Sequence, residues 1–240
     1  MQILALDSTA VTASAAVWRN GSLVAQYLLN SGHTHSTTLL PMIRHMLETS
    51  GVPLDDIDSM ACSVGPGSFT GIRIGIATLK GLAFGANKPC IGVSSLEAMA
   101  YGMKCVNGIV CPVINARRTQ YYSALFRVQN GAVTRLTADD VILGANLDAI
   151  LAQYDEPIYL TGDGYESART FMSHPRLMIT PEAFCWPGAF AVADAAAHRL
   201  ENASPETVFT PDDLVPVYLR KTQAEREREE RLASAQNGEL

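Results

Sequence analysis

Residues 65–75 read GPGSFTGIRIG, four glycines in eleven positions between an apolar run and a long apolar helical pattern. A strand, a glycine-rich turn and a helix in that order aim backbone N–H groups and the positive end of a helix at the space before the turn, which suits an anion. Neither standard phosphate signature is completed, however. A Walker-type loop needs Lys and then Ser or Thr after its last glycine, whereas Ile72 and Arg73 follow Gly71. The dinucleotide pattern needs glycine at position 70, where Thr70 stands. The competing reading is that Gly65, Gly67 and Gly71 serve tight turning and close packing of helix on strand.

On the N-terminal side of this loop the chain opens as a meander. ILAL (3–6) ends at Asp7, Ser8 and Thr9, and SAAVW (14–18) follows. Asn20-Gly21 then joins it to LVAQYLL (23–29), as expected of a turn with positive φ at both central residues. After the polar loop SGHTHSTT comes a helix of about a dozen residues, whose apolar positions Leu39, Met42, Ile43, Met46 and Leu47 recur at helical spacing. Gly51-Val52-Pro53 stops it, and SMACSV (59–64) is the strand that feeds the glycine loop. The loop opens a second helix, about Gly71 to Gly85, then a strand at 89–93 and a third helix beginning SLEAMAYGM, capped by Ser94 or Ser95.

Beyond Asn107-Gly108 the pattern restarts. IVCPVINA (109–116), YYSALFRV (121–128) and VTRL (133–136) are predicted strands, with Asn130-Gly131 as a second hairpin turn. A helix near 146–153, the strand PIYLTG (157–162) and the alanine-rich helix GAFAVADAAAHRL (188–200) complete that half. Two related α/β units are expected, residues 1–104 and 105–220, followed by a polar, charged tail at 221–240. In the tail, Glu227 and Arg231 stand at i, i+4, which fits a solvated helix.

Composition narrows the function. At 240 residues the chain can hide roughly 70% of its unfolded surface without staples. Its five cysteines form no CxxC pair and read as reduced thiols of a cytoplasmic protein. The N-terminus reads as a strand rather than a signal peptide, and no apolar run approaches the roughly 18 residues of a membrane span. A net charge of -6 argues against a broad basic surface that grips RNA unaided, so a nucleic-acid role is expected to pass through a partner.

Catalytic constellations are thin. His33 and His35 sit in a polar loop without a third ligand, His45, His174 and His198 are scattered, and no His/Asp/Ser triad assembles. Asp7-Ser8-Thr9 at a strand end has the form of a phosphate hairpin, yet the corresponding place in the second half reads Asn115-Ala116-Arg117-Arg118. An amide there is neither a general base nor a charged Mg²⁺ ligand. On the two helices flanking the loop, apolar and small residues (Leu39, Met42, Met46, Ile72, Gly75, Ile76, Leu79, Ala83) spill past one stripe, which suits docking to another chain as well as core packing.

ILALDST (3–9), GPGSFTGIRIGIATLKGLA (65–83), VSSLEAMA (93–100), INARR (114–118) and PVYLR (216–220) together resemble the TsaB (YeaZ) family, in order across nearly the whole chain. INARR departs from that family's usual Asp-Ala-Arg-Arg by carrying Asn115. The resemblance implies an α/β fold of two duplicated actin/hexokinase/Hsp70-like (ASKHA) lobes. It also implies membership of the bacterial complex that forms N6-threonylcarbamoyladenosine at position 37 of tRNAs reading codons that begin with A. There TsaD, a paralogue, transfers the threonylcarbamoyl group from threonylcarbamoyl-AMP, and the ATPase TsaE binds at the junction of TsaB and TsaD. TsaB is the non-catalytic subunit and meets tRNA indirectly. The metal-binding histidines of TsaD fall on Ser95 and Met99 here, while Glu97 persists, so neither ligand is retained.

On this reading the docking surface for TsaD comprises Leu39, Met42, Met46, Arg73, Ile76 and Lys80, and a homodimer through the same helices is the competing use of it. No cofactor or metal is expected on the isolated chain. An adenine nucleotide at the junction of the complex would meet Gly65, Gly67, Ser68 and Arg73. The alternative is an independent ATP- or metal-dependent enzyme of the same fold, a phosphotransferase or metallopeptidase.

Overall fold

A computed structural model of the chain describes residues 1–220; the expected charged helix at 221–240 lies outside the described residues. The first sheet contains β1 (Gln2–Asp7), β2 (Ala13–Arg19), β3 (Ser22–Leu29), β4 (Ser59–Gly65) and β5 (Cys90–Ser94), in the order β3-β2-β1-β4-β5. β1, β2 and β3 pair antiparallel, while β1, β4 and β5 run parallel. Asn20 and Gly21 have φ of 47° and 85°, as the β2–β3 turn requires. Helices α1 (His35–Ser50) and α2 (Phe69–Ala86) cover one face, and α3 (Ser95–Gly102) covers the other. α1 begins four residues ahead of its periodic stripe, so His35 is helical rather than part of the preceding loop.

The second sheet repeats this order. It contains β6 (Gly108–Asn115), β7 (Gln120–Ser123), β8 (Phe126–Gln129), β9 (Ala132–Arg135) and β10 (Asp140–Leu143). After α4 (Leu147–Leu151) come β11 (Ile158–Thr161), α5 (Tyr165–Arg169), β12 (Leu177–Met178) and α6 (Ala189–Glu201). β6, β11 and β12 run parallel, as β1, β4 and β5 do. The single strand expected at 121–128 is two. β7 pairs with Val113–Asn115 and β8 with Gly108–Val110, leaving Ala124 and Leu125 unpaired opposite Cys111 and Pro112. Pro112 has no N–H to give a ladder. The Leu125 groups turn instead to Leu136 and Thr137.

The layers run α1/α2, first sheet, α3/α6, second sheet, α4/α5. Alternation along each strand decides which face goes where: Leu4 and Leu6 meet α1 and α2, while Ile3 and Ala5 meet α6. Small residues Ala5, Ala16 and Ala61 oppose the alanines of α6, which lets that helix sit close to the sheet. Burying a leucine such as Leu4 on the opposite face stabilises by about 1.5–3 kcal/mol, so the alanine-rich face contributes mainly through number and fit. α6 thus follows the second sheet in sequence and packs on the first, and Leu214 beyond it is buried in the α1/α2 core.

Candidate functional site

The C-terminal ends of β1, β4, β6 and β11 open onto one cleft of about 750 Å³. Its walls are Thr9–Val11, Gly32–His35, Pro66–Gly71, Ile114–Arg117, Tyr122, Asp163 and the segment Val217–Arg220. Two residues before the lining Thr9 the carboxylate of Asp7 is buried, and its Oδ1 accepts from the Thr9 N–H (2.9 Å) and hydroxyl (3.0 Å). Burial pushes the Asp7 carboxyl pKa up, while the nearby Ser63 hydroxyl, the hydrogen bonds from Thr9 and the charge of His35 pull against it. His35 Nε2 donates to the Ala10 carbonyl (2.9 Å), so that ring holds the Thr9–Val11 turn. On the second lobe, Asp163 Oδ1 accepts the Asn115 N–H (2.8 Å), and Asn115 Oδ1 accepts the Arg117 N–H (2.8 Å). Burial also raises the pKa of Asp163.

The glycine loop is committed to packing. Gly65 has φ 114°, and a Cβ there would lie 2.5 Å from the Val217 carbonyl oxygen. A Cβ on Gly71 would strike the Ser8 carbonyl. Both positions need glycine because backbone approaches backbone, which is the close-packing reading of the motif. Ser68 is the N-cap of α2, accepting the Gly71 N–H at 3.2 Å. Arg73 lies on the exposed side of α2 with its guanidinium 3.9 Å from the Phe69 ring centroid, and its Nε donates to the Tyr218 hydroxyl at 2.8 Å.

Four of the six expected docking residues belong elsewhere. Leu39, Met42, Met46 and Ile76 are buried in the core between α1, α2 and the first sheet, Met42 and Ile76 keeping 5% and 6% of their surface. Helical spacing marks a buried stripe without saying whether the burial is against the chain's own sheet or another chain. Arg73 is exposed and Lys80 half-buried near Asp213. The outer face instead carries Leu40, 52% exposed, and Phe84, 87% exposed. Beside Leu40 a groove of about 710 Å³ is lined by Pro41, Leu47, Val52, Leu54 and Leu82. The signal for Phe84 was its position: it follows Ala83 and falls off the stripe Ile72, Ile76, Leu79, Ala83.

The family model described as "TsaD: tRNA N6-adenosine threonylcarbamoyltransferase" matches residues 29–226. The tRNA threonylcarbamoyladenosine biosynthesis protein TsaB of Escherichia coli is 33% identical over 93% of this chain and 96% of its own. The chain belongs to the TsaB family. TsaB of Bacillus subtilis is 31% identical over 68% of this chain and 71% of its own. The crystal structure of YeaZ from Pseudomonas aeruginosa superposes with a TM-score of 0.76 at 25% identity, covering 91% of this chain and 99% of that one. The two sheets of repeated order are the duplicated lobes of the actin/hexokinase/Hsp70-like fold.

Ser95 and Met99, expected to stand where TsaD has its metal ligands, are interior in this TsaB-family chain. Ser95 and Met99 lie on α3 between the two sheets, Met99 packed with Val110, Ile114 and Phe126 of the second. Glu97 instead faces Arg135 (3.8 Å) and Arg199 (3.6 Å), joining α3 to β9 and α6. Among the described residues no three His, Cys, Asp or Glu side chains form a metal-ligating group. No helix among them is long and apolar enough to cross a membrane.

Proposed function

We propose that the chain is the accessory subunit that works with TsaD and TsaE in transferring the threonylcarbamoyl group from threonylcarbamoyl-AMP to N6 of adenosine 37 in tRNAs reading codons that begin with A. It docks on TsaD through the outer face of α1 and α2. The observation that carries the docking is the exposure of Leu40, which lines a largely apolar groove, and of Phe84 on α2, on helices whose other faces are already buried. A second copy of the chain would use the same face and so compete with TsaD. A non-catalytic role is supported by Ser95 and Met99, which lie inside the molecule where a metal site would need open ligands. A nucleotide bound where TsaE joins the complex would reach Ser68 and Arg73 at the start of α2, whereas Gly65 is filled from within by the C-terminal segment.

Phe84→Glu and Leu40→Glu place a charge on the exposed face and leave the core untouched. Each should weaken capture of TsaD at least tenfold with an unchanged melting temperature. Cells carrying the double variant as their only copy should lose threonylcarbamoyladenosine from tRNA, read by nucleoside mass spectrometry. Normal TsaD capture by the folded double variant would refute the docking face, and a normal nucleoside level would refute the function.

A further inference from the structure

At the end of β1 away from the cleft, where Met1 precedes the strand, lies a second cavity of about 560 Å³. The Asn20-Gly21 turn of the first sheet and Gly131–Val133, at the second Asn-Gly turn, come together there over α3 and α6. α6 lines it with Asp194, Ala197, His198 and Glu201, at the spacing of one helical face, and the end of α3 adds Tyr101 and Lys104.

Two polar side chains in this lining are more than nine-tenths buried and have no hydrogen-bond partner among the described residues. Trp18 is 4% exposed, and its indole N–H meets no acceptor. Tyr101 is 8% exposed, and no hydrogen bond of its hydroxyl exists among the described residues. Its ring is already held between His198, with centroids 6.0 Å apart, and Lys104 Nζ at 5.4 Å, so the hydroxyl is what it has left to offer. Buried donors are rarely left unmet, because the water they give up is not replaced.

The charges decide what can meet them. Lys104 Nζ is bonded to Asp194 Oδ2 at 2.7 Å, and the Met1 amino group donates to Asn20 Oδ1 at 2.6 Å. Glu201 has no ion pair among the described residues. Burial, with the charges of Glu97, Asp194 and Glu201, pushes the Tyr101 phenol up to about 12, so it stays a neutral donor in a negative surrounding. A carboxylate or phosphate ligand would satisfy the donors and be repelled by Asp194 and Glu201. An ammonium ion would suit the acids and leave the tryptophan N–H, which can only donate, unmet. A neutral amide meets both demands, with an accepting carbonyl and a donating N–H on one small group.

We propose that this cavity binds a small neutral carboxamide or lactam on a flat apolar body. Its carbonyl oxygen accepts from Tyr101 and Trp18, its N–H donates to Glu201 and Asp194, and its body lies against Val133 and Ala197. Gly21 and Gly131 have open space around them, so the turns that carry them can move outward and admit the carbonyl oxygen to the indole. The cavity has the size and the mixture of apolar wall and few polar groups that small-molecule sites share.

The test uses the full chain labelled with ¹⁵N and three probes of one shape: benzamide, benzoate and benzylamine. The chain has two tryptophans, Trp18 and Trp186, so two indole N–H signals report, assigned with Trp18→Phe. Benzamide should move the Trp18 signal saturably, with a Kd of about 1 mM as suits so small a probe, and leave Trp186 in place. Benzoate and benzylamine should bind at least tenfold more weakly. Tyr101→Phe keeps the ring and removes the hydroxyl, so it should melt like the parent and bind benzamide at least fivefold more weakly. Glu201→Gln, at an exposed position, should lower the preference for benzamide over benzoate at least threefold, an effect that a purely structural role would not produce. Absence of a saturable shift at Trp18 would overturn the proposal. So would equal affinity for benzoate or benzylamine, or unchanged benzamide binding in Tyr101→Phe. Capture of TsaD by both variants should be normal, which separates this site from the docking face.

Discussion

Asp7 ends β1 with its carboxylate removed from water and its oxygen held by Thr9. Because its folded pKa is raised, the folded state holds the proton to higher pH than the unfolded chain does. Asp7 therefore contributes stability below its unfolded pKa, near 3.8, and that contribution is lost as pH rises towards the folded value. Asp7→Asn removes the ionisation and can still accept from Thr9. Relative to the parent, it should gain about 1 kcal/mol or more in unfolding free energy between pH 4 and pH 7, measured by urea denaturation of both proteins at each pH. A difference constant across that range would show that Asp7 does not titrate as a buried acid. The sequence marked Asp7 by its place at a strand end but not its burial, since burial depends on Gly71 and α2 closing over Ser8, a contact 63 residues away in the chain. At the same scale, Leu39, Met42, Met46 and Ile76 were legible as a periodic set, while the sheet face that buries them was not.

The elements were largely legible where one local rule governs them. Both Asn-Gly hairpins, the parallel strands and the cap of α3 by Ser94 follow from turn chemistry, apolar runs and side-chain hydrogen bonding. The break between β7 and β8 was hidden because it is imposed by Pro112 on the neighbouring strand. The C-terminal segment was hidden for a similar reason. Leu214, Val215, Pro216 and Val217 carry no helical or strand period, yet Leu214 is buried against Gly92 and Val217 N–H donates to the Val64 carbonyl at 2.8 Å. Leu214→Ala should cost about 2–4 kcal/mol by leaving a cavity under α2 and β5. A shift in urea midpoint equivalent to less than about 0.5 kcal/mol, the ordinary surface value, would mean that the segment adds nothing to the core.

At the scale of the molecule, the repeat in the sequence correctly announces two sheets of the same order, and a linear boundary follows from it only with difficulty. Residues 1–104 hold every strand of the first sheet, but the face formed by Ile3, Ala16, Trp18, Ile91 and Val93 is covered by α6, which the chain supplies only at Ala189–Glu201. Cutting at 104 would expose that face to water and also remove Leu214 from the opposite one. Leaving several such side chains solvated costs about 1.5–3 kcal/mol for each large one, which exceeds the margin by which a domain of this size is stable. The fragment 1–104 should therefore show no cooperative thermal transition by circular dichroism. Its co-expression with 105–220 should restore a one-to-one complex that melts cooperatively, because the missing helix and strap then return in trans. Cooperative melting of 1–104 alone would instead make the boundary one between independently folding units, and would require the sheet face under α6 to find another cover.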